Sequence, residues 1–295
     1  MRSMNMTSNS LAAASSEAPA EGRGDGDMPI HGERIAMLLA GSDNANARRI
    51  VVEAVARTGS TNVDLMQRLH SLEQPVLRVA ERQTAGRGRA GRPWRTTPQA
   101  SLTFSLAWRF RRPLHALLGL PLAVGVALAE ALQVLGVQAQ LKWPNDLLRD
   151  GAKLAGVLIE TAADIGSSDA TWAVIGIGLN LGVPPELETE LGRAIGAAPE
   201  LQKQPRETVL AIITSALADV LAEFEQYGFG AFIARWQAFH SYAGQPVKII
   251  DNGRTVQEGI AVGVDMMGRF LIDTGAGQVT VLAGDVSLRL QEQAS

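Results

Sequence analysis

The chain has 295 residues, of which 46% are hydrophobic and 19% charged, ordinary globular usage that allows one large domain or two modest ones. Its formal charge of -3 argues against a general polyanion binder. The absence of cysteine excludes disulfides, thiolate catalysis and zinc–cysteine or iron–sulfur sites; it fits a reducing compartment, so a cytoplasmic location is expected. His31, His70, His115 and His240 are scattered and none sits in H-E-x-x-H spacing, which argues against a dedicated metal centre. No apolar run reaches the roughly 18 residues of a membrane span, so no membrane partner is expected.

Residues 1–32 are rich in Ser, Ala, Gly, Asn and Met and poor in large aliphatic side chains. Such a segment cannot bury enough apolar area to offset its ordering entropy, and a disordered leader is expected. A short helix over 33–41 ends at glycine, and the β-branched run in 49–56 predicts a strand. Gly59-Ser60-Thr61-Asn62 then opens a short helical pattern. These polar residues read either as N-caps, with Thr61 and Asp64 as a capping-box-like pair, or as hydrogen-bonding groups for a neutral polar ligand. Strands follow over 76–81 and 101–108, the second alternating around Leu102, Phe104 and Leu106 as a half-buried strand would. A core-facing helix is expected over 121–135. Strands over 138–143 and 153–160 flank the hairpin signal Asp150-Gly151, and 171–181 reads as a buried strand with two glycines. Residues 206–239 predict two amphipathic helices broken at Gly228 and Gly230. From 244 onward, four short strands and the turns Asn252-Gly253 and 265–268 predict a small all-β barrel of about fifty residues.

The chemistry concentrates in Gly86-Arg87-Gly88-Arg89-Ala90-Gly91-Arg92-Pro93-Trp94. Glycine permits close backbone approach to a ligand, and arginine brings fixed charge with planar donor forks. This is an anion-holding loop. It formally matches G-x-G-x-x-G, but Pro93-Trp94 follows where a dinucleotide fold needs a helix, and Arg109, Arg111 and Arg112 stand where it wants an acid. A P-loop is absent. The bland alternative, an arginine-rich nucleic-acid loop, is opposed by the acidic balance of the chain.

Five motifs occur in fixed order: Gly59-Ser60-Thr61-Asn62; the stretch Gln83-Thr84-Ala85 running into the arginine loop; Lys142-Trp143-Pro144-Asn145-Asp146; Lys153-Leu154-Ala155-Gly156; and Gly176-Ile177-Gly178-Leu179-Asn180. Together they resemble the bacterial biotin protein ligases, from about Val51 to the C-terminus. The resemblance implies an α/β (α+β) fold: a mixed-sheet, class II synthetase-like biotin/lipoate ligase catalytic domain over 33–243 and a C-terminal SH3-like β domain over 244–295. It implies activation of biotin by ATP, with Mg²⁺, to biotinyl-5′-AMP, then transfer to a lysine of the biotin carboxyl carrier protein of acetyl-CoA carboxylase. Some relatives also carry a DNA-binding winged helix-turn-helix of three helices and a hairpin. Fewer than twenty residues separate the leader from the first strand, so no DNA binding is expected. The resemblance further points to a homodimer.

Carried over by position, Ser60, Thr61, Asn62, Gln83, Arg87, Gly88, Arg89, Lys153 and Gly156 would bind biotin. Arg92, Trp94, Asn145, Lys153 and Asn180 would bind ATP, with Trp94 stacked on adenine and Asn180 reading its amino edge. Lys153, Arg87, Arg89 and Asp146 would be catalytic, and Asp146 is the candidate metal ligand. Gly156, Gly176 and Gly178 would form a floor on which a side chain would strike the ligand. The loop over 86–94 is expected to be mobile when empty. The alternatives are a lipoate or other acyl-protein ligase and a biotin-binding regulator with little turnover.

Overall fold

A computed structural model describes residues 29–192, 194–284 and 286–291. The leader expected over 1–32 therefore lies outside the described residues up to Met28. Its last four residues belong to the fold: Ile30 is buried, its N–H donates to Glu81 Oε1 at 2.5 Å, and the His31 N–H donates to Glu207 Oε1 at 3.1 Å. Glu81 in turn pairs with Arg206 at 2.8 Å. Helix α1 (Gly32–Ala40) follows at once and buries Ile35 and Leu39.

The larger sheet contains β1 (Val51–Thr58), β2 (Val76–Gln83), β3 (Ser101–Phe110), β4 (Gln140–Lys142), β5 (Asp146–Arg149), β6 (Ala152–Asp164) and β7 (Ser167–Asn180), in the order β1-β2-β3-β7-β6-β5-β4. Only β1 and β2 run parallel. Between them lies α2 (Thr61–Met66). Strand β3 departs from the half-buried expectation. Its even positions Leu102, Phe104, Leu106, Trp108 and Phe110 enter the main core with α3 (Leu120–Val134) and α5 (Arg206–Tyr227). Its odd positions are buried as far as Ala107, which packs with Leu65, Leu69, Val76, Trp172 and Val174 beneath α2; only Arg109 is exposed. A strand covered on both faces loses the exposed period that alternation predicts.

The stretch Leu114–Val134 is apolar enough by composition to cross a membrane, but 67% of its most apolar 18-residue window is buried inside the protein. It is also broken ahead of α3 by Gly119, whose φ of 81° and contact with Phe229 suit only glycine: a Cβ there would fall 2.5 Å from the Phe229 ring. Helix α4 (Pro185–Leu191) lies between β7 and α5, and α6 (Ile233–Ala238) follows the break after α5.

The C-terminal unit contains β8 (Pro246–Asp251), β9 (Arg254–Val264), β10 (Phe270–Asp273), β11 (Gln278–Val281) and β12 (Ser287–Leu290), an antiparallel sheet in the order β11-β10-β9-β8-β12. The last strand was not among the four expected. It pairs with β8 and brings Ser287, Leu288 and Arg289 to the site below. The two units share a core. Trp143, 1% exposed, donates from Nε1 to the Gly268 carbonyl at 3.1 Å and packs on Phe270 at 5.4 Å between centroids. His240 lies between Trp236 and Phe270, at 4.6 and 5.6 Å, with both ring nitrogens lacking a partner among the described residues.

Burial depresses the His240 pKa from 6.5 to about 4. The unfolded chain therefore takes up a proton that the native ring refuses as pH falls from about 6.5 to about 4. The contribution is fully present above that window and is lost on descending through it. Urea unfolding of the wild type is expected to show stability falling between pH 7 and pH 4.5 more steeply than in His240→Phe. Parallel profiles for the two proteins would contradict this account of the junction.

Candidate functional site

The arginine loop leaves β2 at Gln83 and is tied back to the segment after β1: the Thr84 and Ala85 N–H groups donate to the Thr58 and Gly59 carbonyls at 3.0 and 2.8 Å. It then folds on itself as a narrow hairpin, with Trp94 N–H to Gly86 O at 2.9 Å and Gly88 N–H to Arg92 O at 2.7 Å. Gly86 is required by this crossing, since a Cβ there would fall 2.5 Å from the Trp94 carbonyl. Ala90 and Gly91 turn the tip with φ of 52° and 68°.

The side chains pin the hairpin over the sheet. Arg87 pairs with Glu160 of β6 at 2.7 Å. Arg89 donates to Asn145 Oδ1 at 2.9 Å and to the Gly284 carbonyl of the C-terminal unit. Trp94 lies across β6 and β7, so a Cβ on Gly178 would fall 2.1 Å from its indole, and one on Gly156 would meet Lys153 Nζ at 2.9 Å. The glycine floor is thus cut to fit the protein's own side chains. Gly176 makes room for Asn62, whose Oδ1 would be 2.2 Å from a Cβ there. The loop expected to be mobile when empty is anchored at three side chains in this structure.

Beneath the loop is a cavity of about 640 Å³. Every expected site residue lines it except Asn180. One end is neutral and polar. Ser60, Thr61 and Asn62 are each 4% exposed or less, and Thr61 meets Gln83 Oε1 through both its N–H (2.8 Å) and its hydroxyl (3.1 Å). The capping-box reading fails: Ser60 makes no side-chain cap bond, and Asp64 instead accepts from Thr58 Oγ1 at 2.8 Å and pairs with Arg78 at 3.1 Å. Thr61 and Asn62 are turned inward as ligand-facing groups would be.

The other end is cationic. Lys153 Nζ lies 2.5 Å from Asp146 Oδ1, an ion-pair contact whose angles fall outside hydrogen-bond geometry, and 5.7 Å from the Trp94 ring centroid. Arg92 opens onto the same space. Asn145 donates to the Val157 carbonyl at 2.7 Å while holding Arg89, so in this structure it positions an arginine. Asn180 does not line the cavity, although Gly176 and Gly178, on the same face of β7, do. Its Nδ2 donates to the Lys153 and Gly196 carbonyls at 3.3 and 3.2 Å, steadying the strand that carries Lys153.

Sequence reasoning missed several members. Tyr242, Ser287, Leu288 and Arg289 wall the cavity from the C-terminal side, and burial holds the Tyr242 phenol above its usual pKa. Ser105 and Glu160 carry bonds that the expected residues depend on. Ser105 offered a signal, a hydroxyl on a strand of otherwise bulky apolar residues. Glu160 did too, as the acid closing the run that begins at Lys153.

With this geometry in place, comparison with known proteins is informative. Residues 53–180 match the biotin/lipoate A/B protein ligase family, and residues 242–289 match the biotin protein ligase C-terminal domain. The bifunctional ligase/repressor BirA of Escherichia coli is 34% identical over 236 residues, covering 79% of this chain and 73% of that protein. The biotin–[acetyl-CoA-carboxylase] ligase of Paracoccus denitrificans is 32% identical over 243 residues, covering 79% and 98%. The structure of biotin protein ligase from Aquifex aeolicus in complex with biotin and ATP aligns with a TM-score of 0.68 at 28% identity, covering 81% of this chain and 99% of that one.

A Cβ at position 178 has no space while Trp94 keeps its seat. Gly178→Ala is therefore expected to expel the indole and red-shift the tryptophan emission, a shift that disappears in a Trp94→Phe background. Unchanged emission in Gly178→Ala would contradict the packing described.

Proposed function

Since the chain belongs to the biotin protein ligase family, we propose that it joins biotin to ATP as biotinyl-5′-AMP. It then transfers biotin to a lysine of the biotin carboxyl carrier protein of acetyl-CoA carboxylase, in the cytoplasm. The observation that carries the proposal is the single cavity with a neutral, hydrogen-bonding end and a cationic end. Biotin has the same division: a neutral urea ring, which needs both donors and acceptors, and a carboxylate at the end of an aliphatic chain. Ser60, Thr61, Asn62 and Gln83 suit the urea. Lys153, Arg87, Arg89 and Arg92 suit the carboxylate and the phosphates.

In the first step a carboxylate oxygen of biotin attacks the α-phosphorus of ATP, and the bond to the β-phosphate breaks to release pyrophosphate. Two anions must meet. At about 4 Å and an effective dielectric near 20, their repulsion is about 4 kcal/mol, which uncompensated would slow the step roughly a thousandfold. Lys153, which lines the cavity beside Asp146, would bridge the two charges, leaving Asp146 as they arrive. In the second step the neutral amine of the carrier lysine attacks the anhydride carbonyl. The carbon–oxygen bond breaks, AMP leaves, and an amide remains. The hairpin, with Gly88 in its turn, roofs the cavity and shields the anhydride from water in the interval.

Mg²⁺ fits here as an ion that arrives on ATP. No cluster of three or more His, Asp or Glu able to hold a metal occurs among the described residues, and Asp146 would offer a single carboxylate beside phosphate oxygens and water. Bound there, it would neutralise phosphate charge. Strand β1 ends the larger sheet with one backbone edge unpaired among the described strands. The C-terminal end of β1 is bonded to the root of the arginine loop through Thr84 and Ala85, and we assign the free edge to carrier docking and to a homodimer contact.

Biotin-dependent exchange of labelled pyrophosphate into ATP tests the first step. Exchange is expected with biotin and not with lipoate, and Lys153→Gln is expected to lower it by about a hundredfold or more. Exchange driven equally by lipoate, or insensitive to Lys153→Gln, would contradict the proposal.

A further inference from the structure

Thr61, Asn62 and Ser105, at 3%, 3% and 0% exposure, form a buried polar chain that ends on Glu160. A carboxylate only accepts, so the Asn62 amide turns its Nδ2 toward Glu160 Oε2, at 2.9 Å. Asn62 Oδ1 then faces Ser105, whose hydroxyl must donate to it, at 2.6 Å. Ser105 has no second proton, so the 2.6 Å contact between Ser105 and Thr61 requires Thr61 to donate. Two acceptors compete for the one Thr61 proton, and Ser105 at 2.6 Å takes it over Gln83 Oε1 at 3.1 Å, which the Thr61 N–H holds at 2.8 Å; the Thr61 oxygen is left with lone pairs. The outer side of the same carboxylate accepts from Arg87 Nη2 at 2.7 and 2.8 Å.

We infer that Glu160 is a positioning residue: together with the Leu158 carbonyl, to which Asn62 Nδ2 also donates at 3.3 Å, it fixes the direction of the hydrogen bonds in the Asn62–Ser105–Thr61 chain, so that Thr61 presents an acceptor to the ligand, and it latches Arg87 of the loop. The identity of that ligand as biotin, whose urea N–H groups need acceptors, rests on the function proposed above. Two features make a carboxylate necessary. Arg87 Nη2 donates to both Glu160 oxygens while Asn62 donates to Oε2, so a glutamine would set its own NH2 donor against a guanidinium donor. The opposite amide arrangement, with Nδ2 toward Ser105, would send the Ser105 proton to Thr61 and the Thr61 proton to Gln83 Oε1 at 3.1 Å, spending within the protein the acceptor capacity that the urea N–H groups need. Gly176 belongs to the same device, because any Cβ there would displace Asn62.

The test is Glu160→Gln with Glu160→Asp beside it, in the full chain, with melting temperature recorded for each. Two readouts are used: KM for biotin and for ATP in pyrophosphate exchange, and trypsin cleavage at the loop arginines of the ligand-free protein. Glu160→Gln is expected to raise KM for biotin by about tenfold or more with KM for ATP unchanged, and to hasten cleavage of the empty loop. Glu160→Asp, which keeps two acceptor oxygens, is expected to recover part of both effects. A biotin KM and a loop cleavage rate equal to wild type would overturn the inference, and so would equal rises in both KM values, which mark a general loosening. Absence of any biotin-dependent exchange in the wild type would instead defeat the proposed function, and the cleavage rates would still decide whether Glu160 latches the loop.

Discussion

Cations in this cavity are held by oxygens of the protein itself: Lys153 by Asp146, Arg87 by Glu160, and Arg89 by Asn145 and a carbonyl of the C-terminal unit. The rest of the site depends on this arrangement. A chain of net charge -3 can keep a concentrated cationic surface because Lys153, Arg87 and Arg89 have local acceptors while the cavity is empty. The acceptors are not deeply buried. Glu160 and Asp146 side chains are 27% and 20% exposed, and Arg87 is 46% exposed. Ion pairs so open to water contribute little stability, about 0–1 kcal/mol. Carboxylate and phosphate of a ligand can therefore take over these cations at small cost.

The same interactions explain how a glycine-rich loop holds a defined shape. Its backbone has little rigidity of its own, but the crossing at Gly86, the seat of Trp94 on Gly178 and the two arginine contacts fix its course. Both structural units take part. Trp143 and Phe270 join their cores, and β12 brings Arg289 to the cavity wall. A ligand that displaces Arg89 from Gly284 thereby also loosens a contact between the two units.

Much of this was legible in the sequence where the determinants are local. The five motifs identify the cavity, since each lies at a turn or strand end whose side chains have one inward direction, and the Asp150-Gly151 turn appears with φ of 51° and 76° as its composition predicts. Longer-range determinants were not legible. The Asn180 amide bonds to the Lys153 and Gly196 carbonyls, contacts that depend on residues 194–198 packing alongside Lys153 and that no local pattern announces. The exposure of β3 followed from a cluster beneath α2 assembled from four separated segments. Strand β12 is four residues long, too short for alternation to stand out. Asp64 was drawn away from its capping pattern by Arg78, fourteen residues on in sequence and one strand over in space.

If one cavity serves both the urea and the phosphate ends, a ligand joining them should gain from both. Calorimetric titration of a hydrolysis-stable biotinyl-adenylate analogue into the ligand-free protein, against biotin and ATP alone, reads this directly. The account predicts that the joined ligand binds at least about 100-fold more tightly than either part. Affinity no better than that of the tighter part would mean that the two ends are not placed to act together.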